Sequence, residues 1–448
     1  MVLATVGAWY VGDVIYNDFE RYVMTIGSES IASAWWQVLW FLAVFGVAVV
    51  PVHQWMNRKY LRKGSHVMAY LETRRLWRKD VQGRIDKLAA ALLVAWLVLM
   101  AIALVQVHGD VLGLFAPYLG HKANPWSRGQ IGGGYSAFIS LASYLQIFLT
   151  AAFGVVAAVS MNAKTRRIAL AVCFLMLPWY VFDRTRNTML ATVLPGLLSW
   201  VFLRLRMGFS AKLAILGVAF LMTHLWFSLV MANREGMQFN IGEALSGQGL
   251  EGSRHAGLNM FEELAWIDKY IELGSYNPNW GERYFAEVVN PIPRAIWENK
   301  PTIGLDYAMA RGQAVSGPNG ETTATISTGM IGQGVVNFGR FFGPMAAALL
   351  MTLWVGILAR QDLLGRNPGR LILYGCGLIL TFNLGRDITL LVLYPFFFGW
   401  GLYRAWLYYQ RYKAGGQMTR KARGSHSKAR DREGKERRKK RRKVVEHG

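Results

Sequence analysis

A chain of 448 residues with 53% hydrophobic and 17% charged side chains would fill two or three soluble domains by length alone. Its apolar residues instead gather in runs long enough to cross a hydrocarbon layer of about 30 Å, which takes roughly 20 helical residues. The formal charge of +23 is concentrated in one tail, where residues 404–448 hold 17 Lys or Arg against 4 Asp or Glu; no aromatics interleave the charges after Gly415, so no nucleic-acid partner is expected.

In chain order, Met1 to Tyr16 is apolar but lacks a basic leader and a small-residue cleavage site, so it reads as a short first span rather than a signal peptide. Clear spans follow at Ile31 to Val52, Leu88 to Val107, Phe138 to Val159, Ile168 to Phe182, Met189 to Leu203 and Leu213 to Met231. Three more come late, at Phe342 to Ala359, Leu371 to Leu384 and Ile388 to Leu407. Only helices or closed barrels satisfy backbone polar groups in lipid, and runs without alternation exclude a barrel. The expected fold is therefore all-α, a polytopic transmembrane helical bundle of nine or ten crossings with one large extracytoplasmic loop. Residues 1–403 form its membrane domain and 404–448 a basic, disordered cytoplasmic tail. Cys173 and Cys376, the two cysteines, lie inside apolar runs without His or Cys at ligand spacing, which argues against a disulfide framework or a thiolate metal site.

Orientation follows from Lys and Arg, which crowd cytoplasmic loops. His53 to Lys87 carries Arg58, Lys59, Arg62, Lys63, Arg74, Arg75, Arg78, Lys79, Arg84 and Lys87. Lys164 to Arg167, Arg204 to Lys212, Arg360 to Arg370 and the tail are basic too, and all fall on one side when the spans alternate. Trp77, Val81, Ile85 and Leu88 recur at helical spacing, which fits either a helix lying on an anionic membrane surface or a solvated linker. The tail is suited to anionic lipids. The opposite side receives residues 232–341, a segment too long for a simple connector. Within it Met260, Leu264, Ile267 and Ile271 predict an amphipathic helix, followed by a turn-rich stretch from Gly274 to Gly281.

Arginine is disfavoured on the translocated side, yet Arg184, Arg186 and Arg386 occupy short turns there. Arg186, Leu190 and Pro195 recur as Arg386, Leu390 and Pro395, each Arg joining two short hydrophobic segments. Such arginines suit the oxygens of a lipid-linked diphosphate, or else they pair with Asp183 and Asp387 as interfacial salt bridges. In Asn290 to Pro301, flanking prolines restrict the backbone that presents Arg294, Trp297 and Lys300; a proline-framed surface helix with snorkelling cations is the structural alternative. Thr322 to Gly339 is rich in Gly, Ser and Thr and ends in Asn337, Phe338, Gly339 and Arg340.

The stretches GERYFAEVVNPIPRAIWENKP (Gly281 to Pro301) and STGMIGQGVVNFGRFFG (Ser327 to Gly343) resemble the bacterial O-antigen polymerase, or oligosaccharide repeat unit polymerase, family. The arginine turns at Arg186 and Arg386 sit where that family tends to carry arginines. One departure is Gln333, which with Gly332 stands where the family often has Gly-Glu; it cannot act as a carboxylate base, so any base lies elsewhere. The resemblance implies an inverting glycosyl transfer on the outer face of the cytoplasmic membrane, with one undecaprenyl-diphosphate-linked oligosaccharide as donor and another as acceptor. It also implies a chain-length regulator and a flippase as partners.

Charge grows on the leaving diphosphate, which assigns catalytic cation roles to Arg186, Arg294, Lys300 and Arg386. Substrate contacts are expected from Arg184, Trp280, Tyr284, Trp297 and Arg340, the aromatic rings offering faces to sugars. Glu282, Glu287, Glu298, Asp306 and Glu321 are the candidate bases, unranked by sequence. No cofactor and no metal are expected, because no Asp-x-Asp or compact carboxylate set is present. His224 within a span reads as interhelical polar glue, and His255 as a weaker outside candidate. A flippase of lipid-linked sugars, a ligase using the same donor, and a non-catalytic assembly scaffold remain as alternative readings.

Overall fold

The computed structural model describes residues 1–16, 19–61, 77–115, 125–126, 136–182, 186–234, 259–292, 296–301, 304–312, 326–362 and 367–413. Among them all regular structure is helical. The chain opens on α1, in which Val2–Val6, the wider-wound Gly7–Val11 and Gly12–Tyr16 follow one another. Then come α2 (Phe19–Ile26), α3 (Ser28–Leu61), α4 (Lys79–Gln106), α5 (Val111–Phe115), α6 (Ser136–Val159), α7 (Ala163–Phe182), α8 (Arg186–Ser199) and α9 (Phe209–Arg234). The later helices are α10 (Met260–Glu272), α11 (Glu282–Val289), α12 (Leu305–Ala310), α13 (Gly329–Asp362), α14 (Pro368–Asn383) and α15 (Leu390–Lys413).

Ser28–Lys59, Lys79–Gln106, Leu141–Val159, Gly329–Gln361 and Leu390–Lys413 are long and apolar enough to cross a membrane, which marks the chain as a membrane protein. The other four expected spans fall on α7, α8, α9 and α14, which over their described residues are not among the five. The expected surface helix around Trp77 to Leu88 is the opening of α4 itself. Val81, Ile85 and Leu88 are buried against the bundle, so the apolar stripe packs on protein rather than on lipid.

Helix directions agree with alternating spans. Gln82 donates to the Val159 carbonyl at 3.2 Å, Asp86 accepts from Thr165 at 2.7 Å, and Arg204 donates to the Ala158 and Ser160 carbonyls at 3.1 Å each. The start of α4, the α6–α7 connector and the end of the wider-wound Trp200–Arg204 that continues α8 therefore meet at one end. At the other end Asn383 donates to the Asn187 carbonyl at 3.3 Å and Trp9 to the Phe382 carbonyl at 2.8 Å. Where α6 crosses α8, a Cβ on Gly154 would lie 3.2 Å from the Gly196 Cα; glycines at this crossing let the two backbones touch.

α13 is a hairpin rather than one rod. Gly339 has φ 76° and ψ 179°, and two glycines flank it at close quarters. Nine positions along a straight helix would separate Gly334 from Gly343 by about 13.5 Å. A methyl on Gly334 would instead collide with the Gly343 carbonyl oxygen. The first limb, 329–338, thus folds back on the second, 340–362, and only glycines at the bend and at the crossing permit it. The second limb contains the expected span and runs parallel to α3: Trp40 donates to the Phe341 carbonyl at 3.0 Å and Asn57 to the Gly356 carbonyl at 3.2 Å.

Asp13 at the end of α1 anchors α10 by accepting from the Phe261 and Glu262 amides at 2.9 Å each, at the N-terminus of that helix, where the dipole favours a carboxylate. The expected amphipathic helix is α10, with Met260, Leu264 and Ile267 buried. Residues 1–398 form one compact unit and 399–448 another. In the second, the Arg404 guanidinium lies 5.5 Å from the centroid of Trp400 and Tyr403 stacks on Trp406; the tail beyond Lys413 lies outside the described residues.

Candidate functional site

Three stretches far apart in sequence meet at one end of the bundle: α11, the first limb of α13 with residues 326–328 before it, and the turn 384–389. The first limb begins by giving its backbone donors away. Thr328 donates from its amide to Asp387 Oδ1 at 3.1 Å, Met330 to the Gly385 carbonyl at 3.1 Å, and Ile331 to the Tyr10 hydroxyl at 2.8 Å. Asp387 thereby sits at a helix N-terminus, where unsatisfied amides and the dipole favour an anion. The buried Gln333 fixes the same turn from the side, its Oε1 accepting from the Ile388 amide at 2.7 Å.

α11 enters this junction with its charges inward. Trp280 and Gly281 before it both take positive φ, 50° and 98°, a conformation that is uncommon for a residue as bulky as Trp. Trp280 is 76% exposed. Arg283 and Glu287, one turn apart on one face, are only 4% and 5% exposed. Phe285 and Val288 on the opposite face are exposed, and Phe285 meets Trp297 edge to face at 6.2 Å. This inverts the usual amphipathic arrangement, in which the apolar face is inward.

The Arg283 guanidinium stands 3.8 Å from Asp387 Oδ1 and donates to the Ile326 carbonyl at 3.4 Å. Gly304 closes over it: with φ +69° it approaches so near that a Cβ would be 3.3 Å from Nη2. Arg283 Nε and Nη1 are enclosed without an acceptor, as are the Tyr284 hydroxyl and Gln333 Nε2. The junction therefore encloses several unpaired donors, an arrangement that costs free energy unless an oxygen-bearing group completes it.

Glu287 has one oxygen held and one not. Oε2 accepts from the Thr389 hydroxyl at 2.6 Å, and Oε1 has no hydrogen bond and is not among the enclosed atoms. Burial pushes its carboxyl up to about 7; the Thr389 hydrogen bond and Arg283 pull it down, and Asp387 pushes it up. It can hold or release a proton near neutrality.

The remaining sequence candidates are distributed unevenly. Arg386 is exposed in the same turn, donating from Nε to Ser327 Oγ at 2.6 Å, while the carboxylate beside it, Asp387, pairs with Arg283. Arg186 opens α8 next to Asn187, so the two resembling turns are neighbours; its side chain lies outside the described residues. Arg184, Arg294, Glu321 and Asp183 also lie outside them, as do His255 and the side chain of His224. Lys300 donates to the carbonyls of Asn290 at 2.8 Å and Ile292 at 2.7 Å, fastening the proline segment. Arg340 is held by Asp268, 2.6 Å from its carbonyl and 3.3 Å from Oδ1, and lies 3.8 Å from Glu272. The Tyr284 ring packs on Phe338 at 6.1 Å, and its amide donates to Asn337 Oδ1 at 3.3 Å. Asp306 accepts from Tyr276 at 2.7 Å and Asn279 at 3.0 Å, and Glu282 and Glu298 are exposed. Among the described residues no group of three metal-ligating side chains stands together.

Arg283 and Thr389 were not singled out from the sequence. The available signal was the spacing of Arg283, Ala286 and Glu287, which share one face of a helix whose other face carries Phe285 and Val288. No protein-family model matches the chain, and no curated protein or solved structure matches it either. Fold and site together define an all-helical membrane protein with a buried, incompletely paired acid–base cluster at one end of its bundle.

Proposed function

We propose that the chain is a glycosyltransferase that joins undecaprenyl-diphosphate-linked oligosaccharides into a polysaccharide on the outer face of the bacterial cytoplasmic membrane, without a metal. The observation that carries this reading is convergence. The block from Gly281, the block from Ser327 and the turn of Arg386, three separate stretches that bear the family resemblance, meet around Arg283, Glu287 and Asp387. A sugar joined to a diphosphate is an oxygen-rich, anionic ligand, which suits a junction of buried donors lacking acceptors. Arginine beside the leaving group stabilises developing charge without metal coordination. A carboxyl that titrates near 7 suits proton transfer at neutral pH.

The test uses the purified full chain in lipid vesicles with an undecaprenyl-diphosphate oligosaccharide and excess chelator. A ladder of lipid-linked chains growing by whole repeat units is expected. Movement of intact substrate across the vesicle without a new glycosidic bond would replace the proposal with a transporter, and transfer only to a separate acceptor glycan would replace it with a ligase. A ladder that forms only on adding magnesium or manganese would overturn the metal-free cation mechanism.

A further inference from the structure

We infer that Glu287 is the general base of this transfer, its Oε1 taking the proton from the acceptor hydroxyl while Thr389 holds Oε2. The inference rests on the glycosyl-transfer reading and narrows it to one atom. Of the described carboxylates offered by the sequence, Glu282 and Glu298 are exposed, and Asp306, whose Oδ2 accepts from both Tyr276 and Asn279, is only half-buried. Glu287 alone among them combines a buried side chain, one oxygen fixed at 2.6 Å and one oxygen with no hydrogen bond. A base needs this division. The held oxygen fixes the plane of the carboxylate, and the free one keeps a lone pair for the incoming proton.

Atoms balance in one step. The acceptor O–H bond breaks toward Glu287 Oε1 and the hydroxyl oxygen bonds to the donor's anomeric carbon. The bond from that carbon to the diphosphate oxygen breaks, and its electron pair leaves on the lipid diphosphate. The proton on Glu287 then passes to solvent, restoring the carboxylate. Arg283 is a positioning residue in this scheme: with its guanidinium beside Asp387, the negative charge nearest Glu287 is balanced, so Glu287 is not driven to stay protonated. The groups facing Glu287 are Arg283 and Tyr284 on its own helix, and Asp387 and Thr389 on the turn after α14, with Arg386 exposed beside them.

The experiment measures chain extension by the full protein in vesicles from pH 5.5 to 8.5. Glu287→Gln should lower extension at pH 7.5 by about 100-fold or more, in keeping with the contribution of a general base. Glu287→Asp should recover part of it. In the wild type the rate should fall as pH drops through about 7, because the base must be ionised. Thr389→Val removes a hydrogen bond to the ionised form, so this limb should move to higher pH. Asp387→Asn removes a neighbouring negative charge, so the limb should move to lower pH. Opposite displacements from two neighbours are not what a merely structural glutamate gives. Extension by Glu287→Gln above a tenth of the wild-type rate, or an acid limb unmoved in Thr389→Val, overturns the assignment while leaving the glycosyl-transfer reading intact. Should Glu287→Gln not fold, the Thr389→Val limb decides alone. Absence of bond formation by the wild type removes the reaction and the base with it.

Discussion

Glu263 and Asp268 on α10 and Glu287 on α11 are all buried acids of successive short helices, yet their surroundings differ. Tyr307 donates to Glu263 Oε2 at 2.8 Å while Arg311 stands 3.5 Å from Oε1 and stacks over Trp266 at 4.4 Å. The Gln37 amide lies 2.7 Å from both oxygens of Asp268, and Arg340 closes on its Oδ1. Those two acids have both oxygens occupied and bind α10 to α12, to α3 and to the hairpin of α13. Glu287 has one oxygen occupied, next to an arginine with two nitrogens unused. Buried charge that is fully engaged holds a fold together, whereas buried charge left incomplete costs stability and is kept where a ligand completes it.

Burial raises all three acids above the usual carboxylate range, so each makes folding pH-dependent in the same direction. For Glu287 the folded value is about 7 against an ordinary 4.5. Below 4.5 both states are protonated and the contribution is fully present. Between 4.5 and 7 the unfolded chain ionises first and stability is lost; above 7 the loss is complete. The largest effect expected is therefore that Glu287→Gln gains up to about 3 kcal/mol relative to the wild type between pH 4.5 and 7. Thermal unfolding in detergent across that range measures it. Parallel wild-type and Glu287→Gln curves would mean that Glu287 is not buried as an acid.

Asp268→Ala attacks the other side of the comparison. It strands the Gln37 amide and takes the carboxylate from Arg340, and we expect a loss of about 2 kcal/mol, with a lower melting temperature. The pH profile of chain extension should keep its shape, since Asp268 makes no contact with Glu287. A displaced profile would show that the two acid clusters are coupled.

Gly343→Ala tests what brings the clusters together. Its methyl would collide with the Val335 backbone, parting the limbs of α13 at a cost of about 1–3 kcal/mol. Extension should fall along with stability, because Gln333 and Asn337 ride on the displaced limb. Unchanged melting would contradict the hairpin.

The smallest effect expected is from Arg283→Ala at alkaline pH. Loss of the guanidinium leaves Asp387 unbalanced and raises Glu287 further, so extension at pH 7 should fall about 10-fold and recover by pH 8.5. Arg283→Lys should restore part of the charge effect. A defect equal at both pH values would mean that Arg283 acts on the substrate alone, through its two unused nitrogens, and not through the base.

Sequence by itself determined the helical membrane class, because an apolar run of sufficient length has no other way to satisfy its backbone in lipid. It also offered Glu287, Tyr284 and Arg386 as candidates, and these three stand in the junction of α11, the first limb of α13 and the turn 384–389. It excluded Gln333 as a base, and in the structure that side chain pins the Ile388 amide instead. Tertiary structure alone decided which of the described candidate carboxylates is buried and held from one side. Periodicity shows that Arg283 and Glu287 share a helix face, but not that this face is the inward one. The choice is made by Asp387 and by Thr389, which lies 102 residues beyond Glu287. It alone decided the fold-back of α13 as well. Hydropathy adds up side chains along the chain, and the bend is set by one backbone angle at Gly339 together with the close approach of Gly334 and Gly343. Pairings of that range depend on where other helices stand, and no local window of sequence contains them.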